Sequence, residues 1–386
     1  MKIGLLGFVV EDANKGCEAL TYSFLSMLDK MTNDDLEVHF FTPVASLDRL
    51  MNQFPNIKMS IGRLKIKDPK FEWREMIKSC DFVCDITCGD GFSDIYFPKN
   101  VFYTTLFKIL VEKCGTPLYL LPQTYGPFSN KKLETMAKYA IKHACFVTTR
   151  DQLSAEYVRK LTKINPMVVT DLAFALPYDS QKYSTDKRKL NIGINVSGLL
   201  WNGGFIKENQ FSLTVDYRRY ITELILALKK RDDVEIHIIP HVIETDSDNI
   251  DGDVSVCRGI AKEHSLIAAP AFTDPIDAKS YISSMDVFLG SRMHSTIAAY
   301  SSHVPVIPFS YSRKFEGLYE NLNYDYVIHG CTDSTEVAVK KSLEWIENKD
   351  NLRNAINKSM NAIDQYLYDF KNAMRGEISK LEGEQS

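Results

Sequence analysis

Apolar runs alternate with amphipathic stretches along the first half of the chain. Residues 3–9 form a continuous apolar run, and further strand candidates lie at 36–41, 81–87, 117–121, 146–149 and 167–170. Stretches with helical spacing lie between them, at 16–28, 100–113, 130–143 and 151–161. Continuous apolar runs indicate strands that are buried on both faces, and this strand–helix alternation predicts right-handed crossovers and a parallel, doubly wound α/β sheet.

The pattern stops at a polar segment, 178–189, and then begins again. Strand-like runs follow at 191–196, 234–240, 287–289, 304–309 and 326–329. Residues 213–231 and 293–302 have helical spacing, and residues 335–383 form a long amphipathic helical stretch with no strand to pair. We therefore predict an N-terminal domain over 1–178, a second doubly wound domain over 190–346, and a C-terminal helical extension over 347–386 that packs across the domains.

Composition narrows the classes of partner. The 386 residues carry a formal net charge of -4, with 45% hydrophobic and 25% charged residues. No global positive field attracts nucleic acid, so any anion site must be local. The N-terminus lacks the long apolar core of a signal peptide, and no apolar run is long enough to span a membrane. We expect a cytoplasmic protein.

Cysteine spacing bears on metal binding. Cys80, Cys84 and Cys88 lie four residues apart, which does not match the usual zinc spacings. The same spacing along a strand directs side chains to one face. We predict buried free thiols and no metal site.

Polar residues follow the predicted strands at the edge where doubly wound sheets bind ligands. After the first strand, Asn14 or Glu18 contacts a ligand, or else Asn14 caps the first helix and Glu18 stands in its first turn, where the helix dipole favours it. The sequence DITCGDGFSD follows a later strand. Here Gly89 permits a tight turn, and Asp90 and Asp94 are candidates for a general base or for binding sugar hydroxyls.

Two further loops of the first half carry candidate binding residues. In LPQTYGPF, Gln123 and Tyr125 stand between two prolines, where they either bind a hydrogen-bond acceptor or form a structural turn. Arg150 follows the run FVTT and either reaches the predicted cleft between the domains or pairs with a neighbouring carboxylate. For Asp171 we favour a structural role that anchors Arg150.

In the second half, the strand over 191–196 ends in Asn195-Val-Ser197-Gly. The backbone amides of such a small-residue turn can form an anion cradle, which makes Asn195 and Ser197 candidate binding residues. His241 follows the strand over 234–240 and is either a ligand contact or a surface histidine.

The segment after residue 289 contains the strongest candidate. Gly290 and Ser291 turn the chain, and Arg292, His294 and Ser295 stand at the start of the next helix. A helix N-terminus presents free N–H groups and partial positive charge. Arginine adds a planar donor fork and histidine a proton source near neutral pH. These features predict an anion site beside an acid.

The following strand-to-helix turn adds Tyr311 and Lys314. The lysine either supplies a second cation to the same anion or begins a solvated helix.

The chain resembles the polysaccharide pyruvyl transferases. The motifs that carry the resemblance run in order along most of the chain: Asn14-Lys-Gly-Cys-Glu-Ala, DITCGDGFSD, LPQTYGP, TTRDQLS, DLAFAL and SRMHSTIAAYSSHVPVIPFSYSRKFEG. Arg292-Met293-His294 stands at the family's Arg-Leu-His signature, and Lys314 stands at its later lysine. The first loop departs from the commoner Gly-Asn-x-Gly-Asp/Glu-Glu form, since Asp12-Ala13 occupies its leading position.

The resemblance implies two Rossmann-like domains in a glycosyltransferase-B-like arrangement. It implies phosphoenolpyruvate as donor, a surface polysaccharide or its lipid-linked precursor as acceptor, and a cyclic pyruvate ketal as product. It also implies that Arg292 and His294 contact phosphoenolpyruvate. No cofactor is expected, and a lipid-linked acceptor suggests a peripheral position at the inner face of the membrane.

Two other functions are compatible with the same sequence. A nucleotide-sugar glycosyltransferase of this architecture also binds phosphate at a helix N-terminus, and Glu316 is then a candidate for the ribose contact. A non-catalytic sugar-binding component of a polysaccharide assembly complex is the second alternative. The combination of Arg292, His294 and Asp90 argues against it.

Overall fold

The described part of the chain falls into two units. The computed structural model describes residues 1–31, 36–41, 46–62, 72–94, 98–244 and 249–384, and of 98, 313, 314 and 381–384 it describes only the backbone. The first unit comprises Met1–Asp12, Leu20–Ala175 and Ile363–Ser386, and the second comprises Ala13–Ala19 and Leu176–Ala362. The sequence prediction had assigned residues 13–19 to the N-terminal domain.

The first unit is built on a parallel sheet with strand order β3-β2-β1-β4-β5-β6-β7. The strands are β1 (Lys2–Leu6), β2 (Glu37–Phe40), β3 (Lys58–Ile61), β4 (Phe82–Asp85), β5 (Leu118–Leu120), β6 (Phe146–Thr149) and β7 (Met167–Val168). The accompanying helices are α1 (Lys15–Met31), α2 (Asp48–Gln53), α3 (Glu72–Lys78), α4 (Pro98–Lys113), α5 (Lys131–His143) and α6 (Gln152–Thr162), with a 3-10 helix at Leu172–Ala175. The strand order reverses between β1 and β4, so their carboxyl ends form the switch point where such sheets bind ligands.

The second unit repeats this topology, with strand order β10-β9-β8-β11-β12-β13. Its strands are β8 (Leu190–Asn195), β9 (Val234–Ile238), β10 (Ile267–Ala268), β11 (Val287–Gly290), β12 (Val306–Ser310) and β13 (Ile328–His329). Its helices are α7 (Gly198–Trp201), α8 (Tyr217–Leu228), α9 (Val254–His264), α10 (Pro275–Ile282), α11 (Met293–Tyr300), α12 (Arg313–Asn321) and α13 (Thr335–Glu347). Here the switch point lies between β8 and β11.

Burial and capping explain why these elements form where they do. Central strands such as β4 and β11 are buried at every residue because helices cover both faces of the sheets. Several helices begin at a side chain that accepts a backbone N–H of their first turn. Asn130 caps α5 in this way, Asp151 caps α6, and Asp216 caps α8.

The C-terminal stretch is two helices, because α13 ends before a long helix, α14 (Lys349–Glu384), begins. Residues 349–362 of α14 belong to the second unit and residues 363–384 to the first. Within the first unit, the ring of Phe370 stacks with that of Phe146 at 6.4 Å. Within the second, the hydroxyls of Tyr300 and Ser359 form a hydrogen bond.

The predicted linker is tied to the second unit. The Asp179 N–H donates to Ser280 Oγ at 2.9 Å, and the Tyr183 hydroxyl donates to Asp277 at 2.6 Å. Both acceptors lie on α10. This polar segment connects the units and also packs along one helix.

Two edge strands were not predicted from the sequence. In β3 the outer residues are exposed, and both residues of β10 are exposed. Such short edge strands lack the buried apolar run by which the central strands were predicted. None of the described helices is long and apolar enough to cross a membrane.

The cysteine prediction is confirmed for two of its three residues. Cys80 and Cys84 are buried free thiols, whereas Cys88 is only half-buried. Burial raises the pKa of the Cys80 thiol to about 11, which keeps it protonated.

Candidate functional site

At the switch point of the second unit, Asn195 organises the turn after β11. Its Oδ1 accepts the backbone N–H of Ser291 at 3.3 Å and that of Arg292 at 2.9 Å, together with the Ser295 hydroxyl at 3.2 Å. Its Nδ2 donates to the Ile239 carbonyl at 2.9 Å. Asn195 and Ser295 are fully buried, so the substrate contacts predicted for them are corrected to a structural role.

The other serines of this region are also used within the protein. Ser197 caps α7, and its backbone N–H donates to the Tyr217 hydroxyl at 3.0 Å. That hydroxyl donates in turn to Ser291 Oγ at 2.7 Å. Both serines are buried, and the ligand contacts predicted for Ser197 and Ser291 are corrected in the same way.

Arg292 precedes α11, and its guanidinium faces two carboxylates of the same unit. Its Nε lies 3.2 Å and its Nη2 2.7 Å from Asp253 Oδ1. Its Nη1 donates to Asp251 Oδ1 at 2.7 Å, and Nη2 also reaches the Asp251 carbonyl. Burial opposes the charge on Arg292, but Asp253 and Asp251 outweigh it and raise the pKa of the guanidinium.

These contacts correct the predicted role of Arg292. Its side chain is only 9% exposed, and its donor fork is occupied by Asp253 and Asp251. Two carboxylates balance one cation, so Arg292 does not offer a free charge to a bound anion. Asp253 also accepts the N–H groups of Gly198 and Val242. The pair therefore connects the turns after β8, β9 and β11.

The segment that begins α1 joins the second unit beside His241. Asn14 forms an antiparallel bridge with Val242, and the Lys15 N–H donates to the His241 carbonyl at 3.2 Å. Asn14 Oδ1 accepts the Gly16 N–H at 3.0 Å, which is the helix-capping alternative of the sequence prediction.

Gly16 lies directly against His294, the second residue of α11. A Cβ at position 16 would stand 2.7 Å from His294 Cβ and closer still to Nδ1. No side chain other than that of glycine fits this approach without moving the imidazole. His294 is half-buried as a residue, and its Nε2 atom is buried.

His241 is the buried imidazole of the cluster. Burial lowers its pKa far below the ordinary value, and electrostatic interactions with His294, Arg292 and Lys15 lower it further. It is therefore neutral. Neither ring nitrogen has a hydrogen-bond partner among the residues that the structure describes. Unsatisfied buried polar groups of this kind are found where substrate or solvent completes a site.

Lys15 and Glu18 add a buried ion pair to the start of α1. Lys15 Nζ lies 2.7 Å from Glu18 Oε2, and both side chains are almost fully buried. The structure thus assigns Glu18 to an ion pair within the helix, which corrects the predicted ligand contact. We refer to Lys15, Gly16, His241, Arg292 and His294 as the histidine cluster.

The remaining candidates of this unit lie after β12. Tyr311 is half-buried, and its ring packs against Phe211 at 5.0 Å and Phe315 at 5.5 Å. The predicted contact of Lys314 concerns a side chain outside the described residues.

At the switch point of the first unit, the turn after β4 has an unusual backbone. Thr87, Cys88 and Gly89 have φ values of 38°, 53° and 82° in succession. Left-handed conformations are costly for residues with a Cβ, so the surroundings must hold this turn in place. We call residues 87–89 the left-handed turn.

A buried ion pair holds the left-handed turn. Lys108 Nζ lies 3.0 Å from Asp85 Oδ1, and both side chains are fully buried. Thr87 Oγ1 donates to the Asp85 carboxylate and accepts from Lys108 Nζ at 2.7 Å. Burial lowers the pKa of Lys108, and Asp85 only partly offsets this effect.

Gly89 and Asp90 lie beside Arg150. A Cβ at Gly89 would stand 3.3 Å from Arg150 Nη1. Arg150 pairs with Asp171 at 3.0 Å, as the sequence prediction favoured. Burial opposes the charge of Arg150, but Asp171 and then Asp90 raise its pKa. Asp90 is half-buried and remains a candidate base.

Asp94 has a structural role instead of the predicted catalytic one. Its carboxylate accepts the Ser129 N–H, the Ser129 hydroxyl at 2.9 Å and the Asn130 N–H at 2.8 Å. Burial opposes its charge, but these hydrogen bonds outweigh burial and lower its pKa. A carboxylate saturated in this way is a poor proton acceptor.

Gln123 and Tyr125 also belong to the interior. Gln123 Nε2 donates to Asp85 Oδ2 at 3.0 Å and to the Leu121 carbonyl at 3.3 Å. Tyr125 is buried, with its ring 5.5 Å from that of Phe92. Gln123 Oε1 and the Tyr125 hydroxyl have no hydrogen-bond partner among the described residues, so both predicted alternatives, binding a ligand and forming a structural turn, stay open.

Comparison with known families decides the classification. The model of the polysaccharide pyruvyl transferase family matches residues 14–313, which include the turn after β4 and the switch point of the second unit. The chain belongs to the polysaccharide pyruvyl transferase family. The resemblance stated from the motifs is thereby confirmed. A comparison with curated protein sequences gives no match.

The family fold extends over whole chains of other enzymes. UDP-GlcNAc 2-epimerase from Neisseria meningitidis, bound to UDP-GlcNAc, superposes with a TM-score of 0.59 at 12% identity, covering 96% of this chain and 100% of that one. Anabaena HepE, in complex with UDP and glucose, gives 0.61 at 11%, covering 98% and 99%. Trehalose 6-phosphate synthase from Burkholderia multivorans gives 0.55 at 9%, covering 100% and 99%. These similarities confirm the predicted fold class, two Rossmann-like domains of glycosyltransferase-B-like type.

Several residues of this pyruvyl transferase family member were missed at the sequence level. Asp253 was not predicted as a site residue. The acidic pair Asp251-Gly-Asp253 lies after β9 and His241 and directly before α9. Lys15 stands inside a quoted motif but was passed over, and Lys108 lies in an ordinary helical stretch. Of these three residues, only Asp253 could have been predicted from its neighbours in the sequence. A buried lysine such as Lys15 or Lys108 is identified only by the residues that pack around it.

Proposed function

We propose that this chain transfers the pyruvyl group of phosphoenolpyruvate to two hydroxyls of a saccharide. The acceptor is a sugar of a surface polysaccharide or of its lipid-linked precursor, and the product is a cyclic pyruvate ketal. Family membership supports a transferase acting in polysaccharide synthesis. We propose a cytoplasmic location, at the inner face of the membrane when the acceptor is lipid-linked.

The observation that carries this proposal is the position of His294. It stands at the N-terminus of α11, half-buried, against Gly16 and near the neutral His241. The amides of the helix start favour an anion here, whereas Lys15 is paired with Glu18. The oxygens of phosphoenolpyruvate can accept hydrogen bonds from such amides.

In the proposed reaction, C2 of phosphoenolpyruvate exchanges its bond to the phosphate oxygen for bonds to two sugar oxygens. The methylene carbon of phosphoenolpyruvate takes up a proton, which makes C2 electrophilic. One sugar hydroxyl attacks C2 and loses its proton to a base, which balances the proton taken up by the methylene carbon. The C2–O bond to phosphate breaks as the second hydroxyl closes the ring, and the proton of this second hydroxyl balances the one given to the departing phosphate. We propose that His294 protonates the departing phosphate and that Asp90 accepts the proton of the incoming hydroxyl. No step of this scheme calls for a metal or cofactor.

Arg292 acts in this scheme as a positioning residue. Its ion pairs with Asp253 and Asp251 hold the turn that leads into His294. The backbone N–H of Arg292 donates to Asn195 Oδ1, and this hydrogen bond also holds the turn that leads into His294.

The function is tested by incubating the protein with phosphoenolpyruvate and a panel of galactose-, glucose- and N-acetylmannosamine-type acceptors. We expect phosphate release that depends on the acceptor, and a product heavier than the acceptor by pyruvate less one water. Nucleotide release from a nucleotide sugar, with no reaction of phosphoenolpyruvate, would replace this proposal with the glycosyltransferase alternative. Saccharide binding without turnover would favour the non-catalytic one.

The role of His294 is tested by His294→Gln. Loss of a positioned acid lowers kcat by about 10²–10⁴-fold. His143→Gln is the matched control, because His143 is an exposed residue at the end of α5. Acceptor-dependent phosphate release measures both variants. Equal rates for His294→Gln and the unmodified protein would remove the assignment.

A further inference from the structure

A second concave site lies in the second unit, formed by α7, the loop that follows it and the start of α8. This pocket has a volume of about 460 Å³, and all of its lining comes from residues 200–218. The volume is within the range of small-molecule sites. Its lining includes Trp201, Asn202 and Gly203, which follow the small-residue turn that the sequence predicted as an anion cradle.

The walls of the pocket are fixed by hydrogen bonds of the protein. Asn209 accepts from the Leu213 N–H and donates to the Leu213 carbonyl, both at 2.9 Å. Arg218 Nε donates to the Trp201 carbonyl at 2.6 Å, and its guanidinium lies 5.3 Å from the centre of the Trp201 ring. The pocket is therefore preformed, which lowers the entropic cost of binding.

Aromatic side chains supply the apolar part of the lining. Trp201 and Phe211 are half-buried, and Tyr217, which also lines the pocket, is buried. Sugar rings present faces of C–H groups, which pack well on such partly exposed aromatic surfaces.

Polar groups complete the lining. Asn202 Nδ2 donates to the Ile250 carbonyl, which leaves Asn202 Oδ1 as an acceptor. One oxygen of Asp216 caps α8 by accepting the Arg219 N–H, and its other oxygen is a second acceptor. Neither acceptor atom, nor the Trp201 indole N–H, has a partner within the described residues. Donors and acceptors in this combination match sugar hydroxyls.

We propose that this pocket binds a sugar residue of the saccharide acceptor, an inference that rests on the proposed function. Lys207 and Arg218 also line the pocket, so the Asp216 carboxylate stands beside two cationic side chains. The choice of a sugar rests on the aromatic surfaces and on the acceptors of Asn202 and Asp216, which fit the C–H faces and hydroxyls of a sugar ring.

One buried contact joins the pocket to the histidine cluster. Tyr217 lines the pocket, and its hydroxyl bonds to Ser291 Oγ at 2.7 Å, directly before Arg292. The same hydroxyl accepts the Ser197 N–H. A ligand that packs on Tyr217 thus contacts a side chain that holds the turn leading to His294.

Intrinsic fluorescence provides the test, because Trp201 is one of only three tryptophans in the sequence, with Trp73 and Trp345. The full chain is titrated, without phosphoenolpyruvate, with the methyl glycosides of galactose, glucose and N-acetylmannosamine. We expect a saturable fluorescence change with at least one glycoside. Trp201→Phe should abolish this change, whereas the control Trp345→Phe should retain it.

A second variant tests the proposal independently, in case Trp201→Phe does not fold. Asp216→Asn keeps a good helix cap but removes the charge that strengthens a hydrogen bond to a hydroxyl. We expect it to weaken glycoside binding about tenfold, measured by saturation-transfer NMR, with an unchanged Tm. No saturable change with any glycoside, or equal affinity in Asp216→Asn and the unmodified protein, would overturn the proposal.

The experiments distinguish an error in the sugar-binding proposal from an error in the proposed function. Glycoside binding through Trp201 without any pyruvyl transfer would leave the pocket in place and remove the function. Pyruvyl transfer with an unchanged acceptor KM in both Trp201→Phe and Asp216→Asn would leave the function in place and remove the pocket.

Discussion

At the residue scale, Gly16 and His294 show how a missing side chain can set the position of a reactive one. The imidazole occupies the space that a Cβ at position 16 would need. Gly16 is held by Asn14 Oδ1, so the backbone cannot withdraw without losing a hydrogen bond. The glycine thus fixes one side of the histidine without touching substrate.

We predict that Gly16→Ala lowers kcat of the pyruvyl transfer by at least about tenfold, because the new methyl must displace His294 from its place. Gly259→Ala is the matched control. Gly259 lies in α9 of the same unit, and a Cβ there meets nothing within 4 Å. Alanine at that position should stabilise the helix by about 0.5–1 kcal/mol and leave kcat unchanged. Steady-state kinetics of the two variants provide the comparison, and a fully active Gly16→Ala would contradict the argument.

Arg292 illustrates the opposite case. The sequence predicted a guanidinium that binds an anion, but it did not predict which carboxylates of the protein would pair with it. A guanidinium at a helix N-terminus suits an external anion, and the sequence predicted one. The structure supplies Asp253 and Asp251 instead, about forty positions earlier in the chain. Their proximity follows from the packing of α9 and α11 on one sheet, which no local pattern encodes.

At the scale of elements, the left-handed turn after β4 depends on a buried network. Thr87 and Cys88 adopt positive φ at a cost in free energy. Asp85 and Lys108 offset this cost, because the Thr87 hydroxyl bonds to both. A strand end, a helix and a turn are thereby made into one rigid support for Asp90.

We predict that Thr87→Val lowers the free energy of unfolding by about 1–3 kcal/mol, since it leaves a buried charged donor and acceptor without this partner. Thr135→Val is the control, because Thr135 is exposed on α5 and bonds only to the Lys131 carbonyl. Its effect should stay within about 0.5 kcal/mol. Urea denaturation followed by circular dichroism measures both. Equal destabilisation by the two substitutions would show that the network does not support the turn.

At the scale of the whole molecule, neither unit is a continuous stretch of chain. Residues 13–19 complete the second unit, and residues from Ile363 onward complete the first. Phe370 is fully buried in the first unit and stacks with Phe146. The C-terminal helix therefore contributes core to a sheet whose last strand lies nearly two hundred residues earlier.

We predict that Phe370→Ala destabilises the protein by about 3–5 kcal/mol, the usual cost of a phenylalanine-sized cavity. Tyr368→Ala, two residues away on the same helix, is the control because Tyr368 is 60% exposed. It should change the free energy of unfolding little. Urea denaturation of both variants tests the prediction, and a similar midpoint for the two would mean that the C-terminal helix is not part of the core.

The parts of the fold that follow from local pattern were predictable. Central strands such as β4 and β11 were found because burial on both faces requires an unbroken apolar run. The edge strands β3 and β10 were missed because exposure removes that requirement. The same contrast holds among site residues. His294 was predicted as a site residue from its place after a strand, whereas no local pattern singled out Lys108.

The sequence by itself determined the two doubly wound halves, the strand ends that carry polar residues, and the family. These depend on periodicity and on short contiguous motifs, which are local properties of the chain. Only the tertiary structure decided which polar side chains form hydrogen bonds and ion pairs within the protein. Asp94, Asn195 and Arg292 each bind groups brought near by packing, and a hydrogen bond already made to the protein is not available to a ligand.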